Sequence, residues 1–593
     1  MSFHFSPRRN RAHEIQWRPW SAQAFAEAKA QDKPVLLAIS AVWCHWCHVM
    51  DETTYSSDEV IRAINDRYIP VRVDNDQRPD INARYNMGGW PTTAVLTPDG
   101  TTLTGGTYVP AAQMLQMLEH VERFYREHKT DIQQRGVDLQ TRSPRMQPGS
   151  SGDLRNSMVT RIVEEISETY DDLYGGFGTQ PKFPHTEQLE LLLLEYRLSD
   201  EQRLYDMASK TMLGMSRGGM YDHVEGGFFR YSTTRDWSVP HFEKMAEDHA
   251  GLLRVLATLV LIGGRPEFNA TLRSAVDYVL SVLRNPDSAF FGGSQDADEA
   301  YYALALDERR KTAAPYVDRT IYTNWNASLA SALYAVASAL NDDQVAQVAT
   351  ATVGALDDRM RDRDGLLYHF APQDGSPRAR GLLTDQAAYL RSLIDAHEHT
   401  GEGRFIDRAE QLVLAVDARF EHDDGPYDDH AAIEEQLGNL AFKDRPLHEN
   451  ALVADSFLRL ASLTEDASYR TRAEAILCAY AKTYGQAGSF AASYARAVRR
   501  YLSTASTLCV VGDRRSTDAF REAGRGLSDP LLTTRTLDPS HAEILRRRGY
   551  ESTPLPAAFL CRGSTCAAPV HDPGDLRAAA LGLTGFDLST GCG

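Results

Sequence analysis

Trp43-Cys44-His45-Trp46-Cys47-His48, answered further along by Gly88-Gly89-Trp90-Pro91-Thr92, decides the fold of the first part of this chain. An apolar run, Pro34 to Ser40, leads into the cysteines and a helical pattern follows them, so the pair spans a strand-to-helix turn. C-x-x-C spacing at such a turn puts Cys44 at a helix N-terminus, where partial positive charge and N–H groups favour a thiolate. Cys44 is therefore the expected nucleophile. Cys47, one turn deeper, is expected to attack Cys44 and release a substrate thiol from a mixed disulfide. Trp43, His45, Trp46, His48 and Trp90 flank the pair as expected modulators, His45 by adding positive charge that makes it more oxidising. Pro91 in cis would present backbone groups to an extended substrate beside the cysteines.

Two other chemistries use the same letters. Cys44-His45-Trp46-Cys47-His48 fits the C-x-x-C-H pattern of haem attachment, and its two cysteines and two histidines are zinc-ligand types. Haem attachment normally requires export and an axial ligand, helical geometry disperses the four zinc-type side chains, and the X-Pro-Thr segment ahead of a strand suits neither. The dithiol reading is preferred, and it calls for no metal and no cofactor.

Outward from this centre, Ile69 to Asp74, Thr92 to Thr97 and Thr101 to Thr107 read as strands, with a helix from Ala111. That order predicts a small α/β domain over 1–134. Residues 135–152, with Pro144, Pro148, Gly149 and Gly152, lose apolar periodicity and read as a linker. From Asp153 the spacing is helical, as in Phe405, Ala409, Leu412, Val416 and Phe420. About twelve such helices are interrupted by turns of Gly and aromatic residues, usually led by Asp: Asp171 to Phe177, Asp222 to Phe228, Asp287 to Gly293, Asp362 to Tyr368, Asp423 to Tyr427, and Tyr484 to Phe490. Six turns predict six helical hairpins over 153–503, closing into an (α/α)6 toroid, with an open solenoid as the alternative. Leu508 to Asp513 and Ala557 to Leu560 then read as strands of a small C-terminal α/β module over 504–593. The expected fold class is multidomain, α/β plus all-α.

Composition narrows the function classes. Lys plus Arg total 63 against 81 Asp plus Glu, and the net charge of -18 repels nucleic acid and anionic membranes. The first twenty residues lack the apolar core of an export signal, and Leu252 to Ile262, the most apolar helical stretch, is too short to span a bilayer. Seven cysteines are too few for a disulfide-stapled secreted fold. A cytoplasmic location, with neither nucleic acid nor membrane as partner, is expected.

Trp43, the cysteine pair, Asp74 ending a strand, Pro91-Thr92 and the Pro98-Asp99-Gly100 turn together resemble the thioredoxin order. One departure is Ala38, six residues before Cys44, where thioredoxins usually bury an Asp that assists proton transfer. More widely, His13 to Trp20, Trp43 to Met50, Arg78-Pro79-Asp80, Gly88 to Pro91, Pro181-Lys182-Phe183-Pro184, Pro240 to Met245, Asp296-Ala297-Asp298, Trp325-Asn326 and Cys561 with Cys566 resemble the spermatogenesis-associated protein 20 family. The resemblance covers nearly the whole chain. It implies a thioredoxin-like domain followed by a six-hairpin toroid similar to those of glycosidases and N-acylglucosamine epimerases, and no established reaction. The segment between Asp80 and Gly88 is shorter than is usual there, and Asp296 to Glu299 runs on without the family's Gly-Glu-rich continuation.

A toroid acting on sugars needs aromatics to stack and carboxylates or acid–base groups to move protons. The expected pocket residues are Asp222, His223, Arg230, Tyr231, Trp237, His241, Glu243, Lys244, Asp296, Asp298, Trp325 and Asn326. The alternative is that Gly, Asp and aromatic residues cap helices and stitch hairpins. Three functions follow: a thiol–disulfide oxidoreductase whose toroid binds a carbohydrate or protein client, a sugar isomerase, epimerase or glycoside hydrolase with a regulatory thioredoxin domain, or a non-catalytic redox-sensing scaffold. The partners are protein thiols and disulfides or a carbohydrate-like small molecule. Cys561 and Cys566 enclose a loop that a disulfide closes or that serves as a second exchange site.

Overall fold

The computed structural model describes residues 3–129, 132, 148–420, 425–431, 436–527, 529–550 and 553–583. Part of the expected linker (135–147), Asp423 of the fifth turn and the last ten residues lie outside them. The chain divides into two compact units. The first is Met1–Arg145 with two short segments, Gln295–Asp298 and Ala432–Asp444; the second is Met146–Ser294, Glu299–Ala431 and Arg445–Gly593.

The first unit is a thioredoxin-like α/β domain. Its elements are α1 (Ala22–Gln31), β1 (Val35–Ser40), α2 (His45–Glu52), α3 (Asp58–Arg67), β2 (Ile69–Asp74), α4 (Pro79–Tyr85), β3 (Thr92–Leu96), β4 (Thr102–Gly106) and α5 (Ala111–Glu127). The sheet order is β2-β1-β3-β4, with β2 parallel and β3 antiparallel to β1. Strand β1 has no exposed residue because helices cover both faces of a central strand. Two apolar layers result, one holding Leu36, Met50, Ile64, Val95 and Leu118, the other Phe25, Leu37, Ile39, Val73 and Ile81.

The second unit contains the toroid. Among its described residues, twelve long helices pair into six hairpins: α6 (Asn156–Glu168) with α7 (Thr186–Ser199), α8 (Gln202–Arg217) with α9 (Ala246–Leu261), α10 (Pro266–Tyr278) with α11 (Thr323–Leu340), α12 (Asp343–Met360) with α13 (Leu383–Thr400), α14 (Arg404–Arg419) with α15 (Leu447–Thr464), and α16 (Ala467–Tyr480) with α17 (Ala492–Leu502). The second helices form the inner ring: α7 packs on α9, α9 on α11, α11 on α13, α13 on α15, α15 on α17, and α17 back on α7. That last contact closes the ring and rules out an open solenoid. Inner helices such as α11 bury residues around most of their circumference, while outer helices such as α8 are amphipathic.

Each expected turn follows an outer helix and leads to the start of an inner one. In four hairpins the fourth residue of the inner helix reaches back to stitch the turn. Phe228 N donates to His249 Nε2 (2.9 Å), Phe291 N to Asn326 Oδ1 (2.8 Å), Leu367 N to Gln386 Oε1 (3.0 Å) and Tyr427 N to Asn450 Oδ1 (2.7 Å). The three amides also donate to the carbonyl of the residue they hold. Accepting at Nε2 fixes the proton of His249 on Nδ1, which donates to Met245 O (2.6 Å); burial pulls its pKa down to about 4 and keeps it neutral for this task.

The first two turns share a second device. Lys182 Nζ donates to Asp171 Oδ2 (2.7 Å) and Gly175 O (2.6 Å), and Lys244 Nζ to Asp222 Oδ2 (2.8 Å) and Gly226 O (2.8 Å). An arginine completes each, Arg235 on Asp171 and Arg309 on Asp222. Gly226 and Gly227 have φ of 79° and 81°, and a Cβ on either would strike Ser274 or Tyr278.

The C-terminal module consists of β5 (Ser506–Val511), α18 (Arg514–Arg525), β6 (Thr533–Leu537), α19 (Ala542–Arg548), β7 (Ala557–Arg562), β8 (Thr565–Cys566) and α20 (Leu576–Leu581). Its sheet order is β6-β5-β7-β8, with β6 parallel and β7 antiparallel to β5. Strand order, strand directions and helix placement thus repeat those of the first unit. Asp513, which caps α18 by accepting from Arg515 N and Ser516 N, stands where Cys44 caps α2. Strand β6 packs on α13 and α15, joining the module to the toroid. Among the described residues, no helix is long and apolar enough to cross a membrane.

Candidate functional site

Cys44 is the N-cap of α2. Its Sγ accepts the backbone N–H of Cys47 at 3.1 Å, and its carbonyl accepts from Cys47 N and His48 N. The two cysteines form a disulfide, and each is only 3% exposed. The Trp90-Pro91 bond is cis and Pro91 directly precedes β3, which pairs with β1. The flanking tryptophans are each held by a second ring: the Trp43 and Trp90 rings meet edge to face at 5.6 Å, and half-exposed Trp46 lies 5.3 Å from Tyr108. The indole of Trp43 donates to buried Asp76 (2.7 Å). Asp76 receives Asn75 Nδ2 on its other oxygen (2.7 Å) and so fixes the tryptophan beside the cysteine.

Burial, with His4 adding to it, pulls the pKa of His48 down to about 4, so a neutral imidazole stands after Cys47 at physiological pH and contributes no positive charge. Behind the same helix, Asp51 accepts both Arg72 guanidinium nitrogens (2.8 and 2.9 Å) and Ser6 N (3.1 Å). Arg72 pairs in register with Ala38 on β1, and its guanidinium lies over Phe5 and Trp17. Asp51 of the cysteine helix is thus held in a bidentate ion pair that also fastens the N-terminal segment.

The toroid candidates separate into three groups. Asp222 and Lys244 are buried in the turn lock, where Lys244 lies within 4.5–5.0 Å of the Tyr278, Phe229 and Tyr302 rings; burial pulls its pKa down to about 8 against Asp222, which holds it up. Asn326 spends its amide on Phe291 and Tyr322 O. Trp237 is fully buried with its indole on Tyr174 O (3.1 Å), Trp325 packs on Tyr322, and His223 Nε2 donates to Gly218 O (3.1 Å). For Asp222, Lys244, Asn326 and Trp237 the expectation of an open pocket gives way to hairpin stitching, because burial commits their polar atoms to protein partners. Asp296 and Asp298 fall in the first unit.

Arg230, Tyr231, His241 and Glu243 do come together. Phe183 stacks on Tyr231 at 4.8 Å and Tyr231 on His241 at 4.9 Å, and His241 Nδ1 hydrogen-bonds Glu243 Oε2. At the start of α9, burial pushes the Asp248 carboxyl up to about 7, with Glu247 and Glu243 adding to the shift and Arg230 opposing it. Among the described residues its Oδ2 has no hydrogen-bond partner. The neighbouring Glu247 carboxyl is solvent-exposed yet also raised by the desolvation of its surroundings, against Arg230 and His448. The expected pocket left out Asp248, Glu247 and His448, because their grouping depends on where inner helices start around the ring.

Residues 6–142 match the family model Thioredox_DsbH, "Protein of unknown function, DUF255". Human spermatogenesis-associated protein 20 is 25% identical over an alignment spanning 95% of this chain and 89% of the human protein. The resemblance to that family therefore extends over nearly the whole chain. The thiol:disulfide interchange protein DsbD of Yersinia pestis is 30% identical over 99 residues, 16% of this chain and 17% of DsbD. A solved cellobiose 2-epimerase from Bacillus thermoamylovorans aligns with a TM-score of 0.45 at 13% identity, over 56% of this chain and 88% of the epimerase.

Proposed function

We propose that this chain is a thiol–disulfide oxidoreductase of a reducing, cytoplasmic compartment, with Cys44 as the exchanging sulfur and a client bound by the toroid. The observation that carries the reading is Cys44 Sγ at the N-cap of α2, accepting an N–H that favours the anionic sulfur. In the reducing direction, the Cys44 thiolate attacks a client disulfide, forming a mixed disulfide and expelling one client thiolate. The Cys47 thiolate then attacks Cys44 Sγ, expelling the second client thiolate and closing the disulfide. Two electrons and two protons pass from the dithiol to the client, and oxidation of a client dithiol is the reverse. With Cys47→Ser the second step has no nucleophile, so clients are expected to stay bound to Cys44 as dithiothreitol-sensitive adducts. Finding no such adduct, by mass spectrometry of protein isolated from cells, overturns the reading.

A second reading is favoured by the Asp248 cluster: acid–base chemistry on a small polar molecule held beside the Phe183–Tyr231–His241 stack. A carboxyl near pKa 7 beside the His241–Glu243 pair supplies a proton donor and an acceptor at neutral pH. The same carboxyl predicts a pH effect. Native Asp248 holds a proton between its ordinary pKa near 3.8 and about 7, where the unfolded chain does not, so its contribution to stability declines as pH rises through that window. Asp248→Asn is expected to flatten this decline and raise the melting temperature at pH 8. A melting profile between pH 4 and 8 identical to that of the parent would show that the shift is absent.

A further inference from the structure

The second disulfide, Cys561–Cys566, belongs to neither reading. It joins facing residues of the β7–β8 hairpin, where Arg562 also pairs with Thr565. Backbone pairing therefore already closes the loop, and breaking the S–S bond leaves the hairpin register in place. Cys566 is exposed and Cys561 partly so, whereas Cys44 and Cys47 are both buried in the resting disulfide. An exposed disulfide is the kind open to exchange.

The sulfurs also border a cavity of about 410 Å³, within the size range of small-molecule sites. Arg470, Arg500 and Arg535 line it against one carboxylate, Glu465. Glu465 is itself held by Arg535 (2.6 Å) and by Arg547, and Arg500 is paired with Asp455 (2.7 Å), so the positive bias of the cavity wall rests chiefly on Arg470. Arg470 is exposed, with one guanidinium nitrogen on Tyr501 O (2.9 Å), which leaves donors for a ligand. Positive charge draws acidic thiols and favours the thiolate at the adjoining cysteines.

We propose that Cys561–Cys566 is a second exchange centre whose partner is a small anionic thiol of the glutathione class. The thiolate of the small thiol attacks exposed Cys566 Sγ, forming a mixed disulfide and releasing Cys561 as a thiolate, which takes up a proton. A second small thiol attacks the small-thiol sulfur of the mixed disulfide, giving its symmetrical disulfide and the Cys566 thiolate. The protein disulfide gains two electrons and two protons, and two small thiols lose them. In the reverse direction the small disulfide reoxidises the pair.

The test uses the full chain carrying Cys44→Ser and Cys47→Ser, with Cys478, Cys509 and Cys592 also replaced by Ser, so that only the second centre reports. The protein is equilibrated in millimolar buffers of reduced and oxidised glutathione and alkylated, and the Cys561–Cys566 peptide is mapped by mass, with circular dichroism following the fold. The expected result is a reversible two-electron couple at unchanged ellipticity, and a glutathione adduct on Cys566 when Cys561→Ser is added. Arg470→Ala, at an exposed position, is expected to slow exchange with glutathione about threefold relative to uncharged mercaptoethanol, the effect of one charge on a steered encounter. A pair that stays oxidised in reduced glutathione until the protein is unfolded overturns the proposal. An Arg470→Ala protein with an unchanged preference between the two thiols overturns its substrate class.

Discussion

With the second pair silenced by Cys561→Ser and Cys566→Ser, Cys44→Ser is expected to lose roughly three orders of magnitude or more of the disulfide-exchange rate, the scale on which removal of a nucleophile acts. The geometry leaves no substitute. Cys47 lies one turn into α2 with its own N–H directed to Cys44 Sγ, so it occupies the donor side of the contact that favours a thiolate. A serine hydroxyl at the same N-cap still accepts that N–H, so α2 keeps its cap and the melting temperature is expected to change little. The measurement pairs stopped-flow exchange with a model disulfide against a melting curve of the same sample. Full exchange activity with Cys44→Ser would remove the N-terminal dithiol from the function. Loss of rate with a large loss of stability would leave folding as the cause.

The largest stability effect is expected at Asp51. Its carboxylate and the Arg72 guanidinium are both nearly inaccessible, at 1% and 4% side-chain exposure, and meet through two hydrogen bonds. Asp51→Ala leaves a buried guanidinium without its counter-ion, a change that costs about 3–5 kcal/mol. The combined Asp51→Leu, Arg72→Met protein is expected to regain most of it, because no unpaired charge then remains in the core. Hydrogen exchange of amides in α2 and β2 reads the local effect, which a whole-chain melting curve blends with that of the toroid. Equal losses in the single and double variants would show that packing, rather than the unpaired charge, sets the cost. Asp51 also lies on the cysteine helix and receives Ser6 N, so its loss is expected to free the N-terminal segment from α2.

These two residues mark how far the sequence can be read. Cys44 was legible because a C-x-x-C pair at a strand-to-helix turn is a local pattern whose spacing alone sets helix position and chemistry. The strands Ile69 to Asp74 and Thr92 to Leu96, the helix from Ala111 and the six helical hairpins were legible for the same reason: apolar periodicity and turn residues report short-range geometry. Asp51 and Arg72 were not, since nothing local tells a helical Asp that an arginine on a strand twenty-one residues later lies beneath it.

The toroid shows the same limit from the other side. Its Asp, Lys and Asn residues stood out in sequence as candidates for a pocket, yet the fourth residue of successive inner helices proved to be a repeated stitch, with Asn326, Gln386 and Asn450 making equivalent bonds. Only superposition of hairpins exposes that equivalence, because loops of different length separate each acceptor from its turn. The repeat of the first sheet's strand order in the C-terminal module was also silent, since Asp513 caps a helix as well as Cys44 does but carries no redox signature. The sequence by itself determined which segments are strand or helix and where the dithiol stands. Tertiary structure decided ring closure, which polar residues are spent on the fold, and which remain grouped around Asp248, because burial and charge depend on neighbours brought together only by packing.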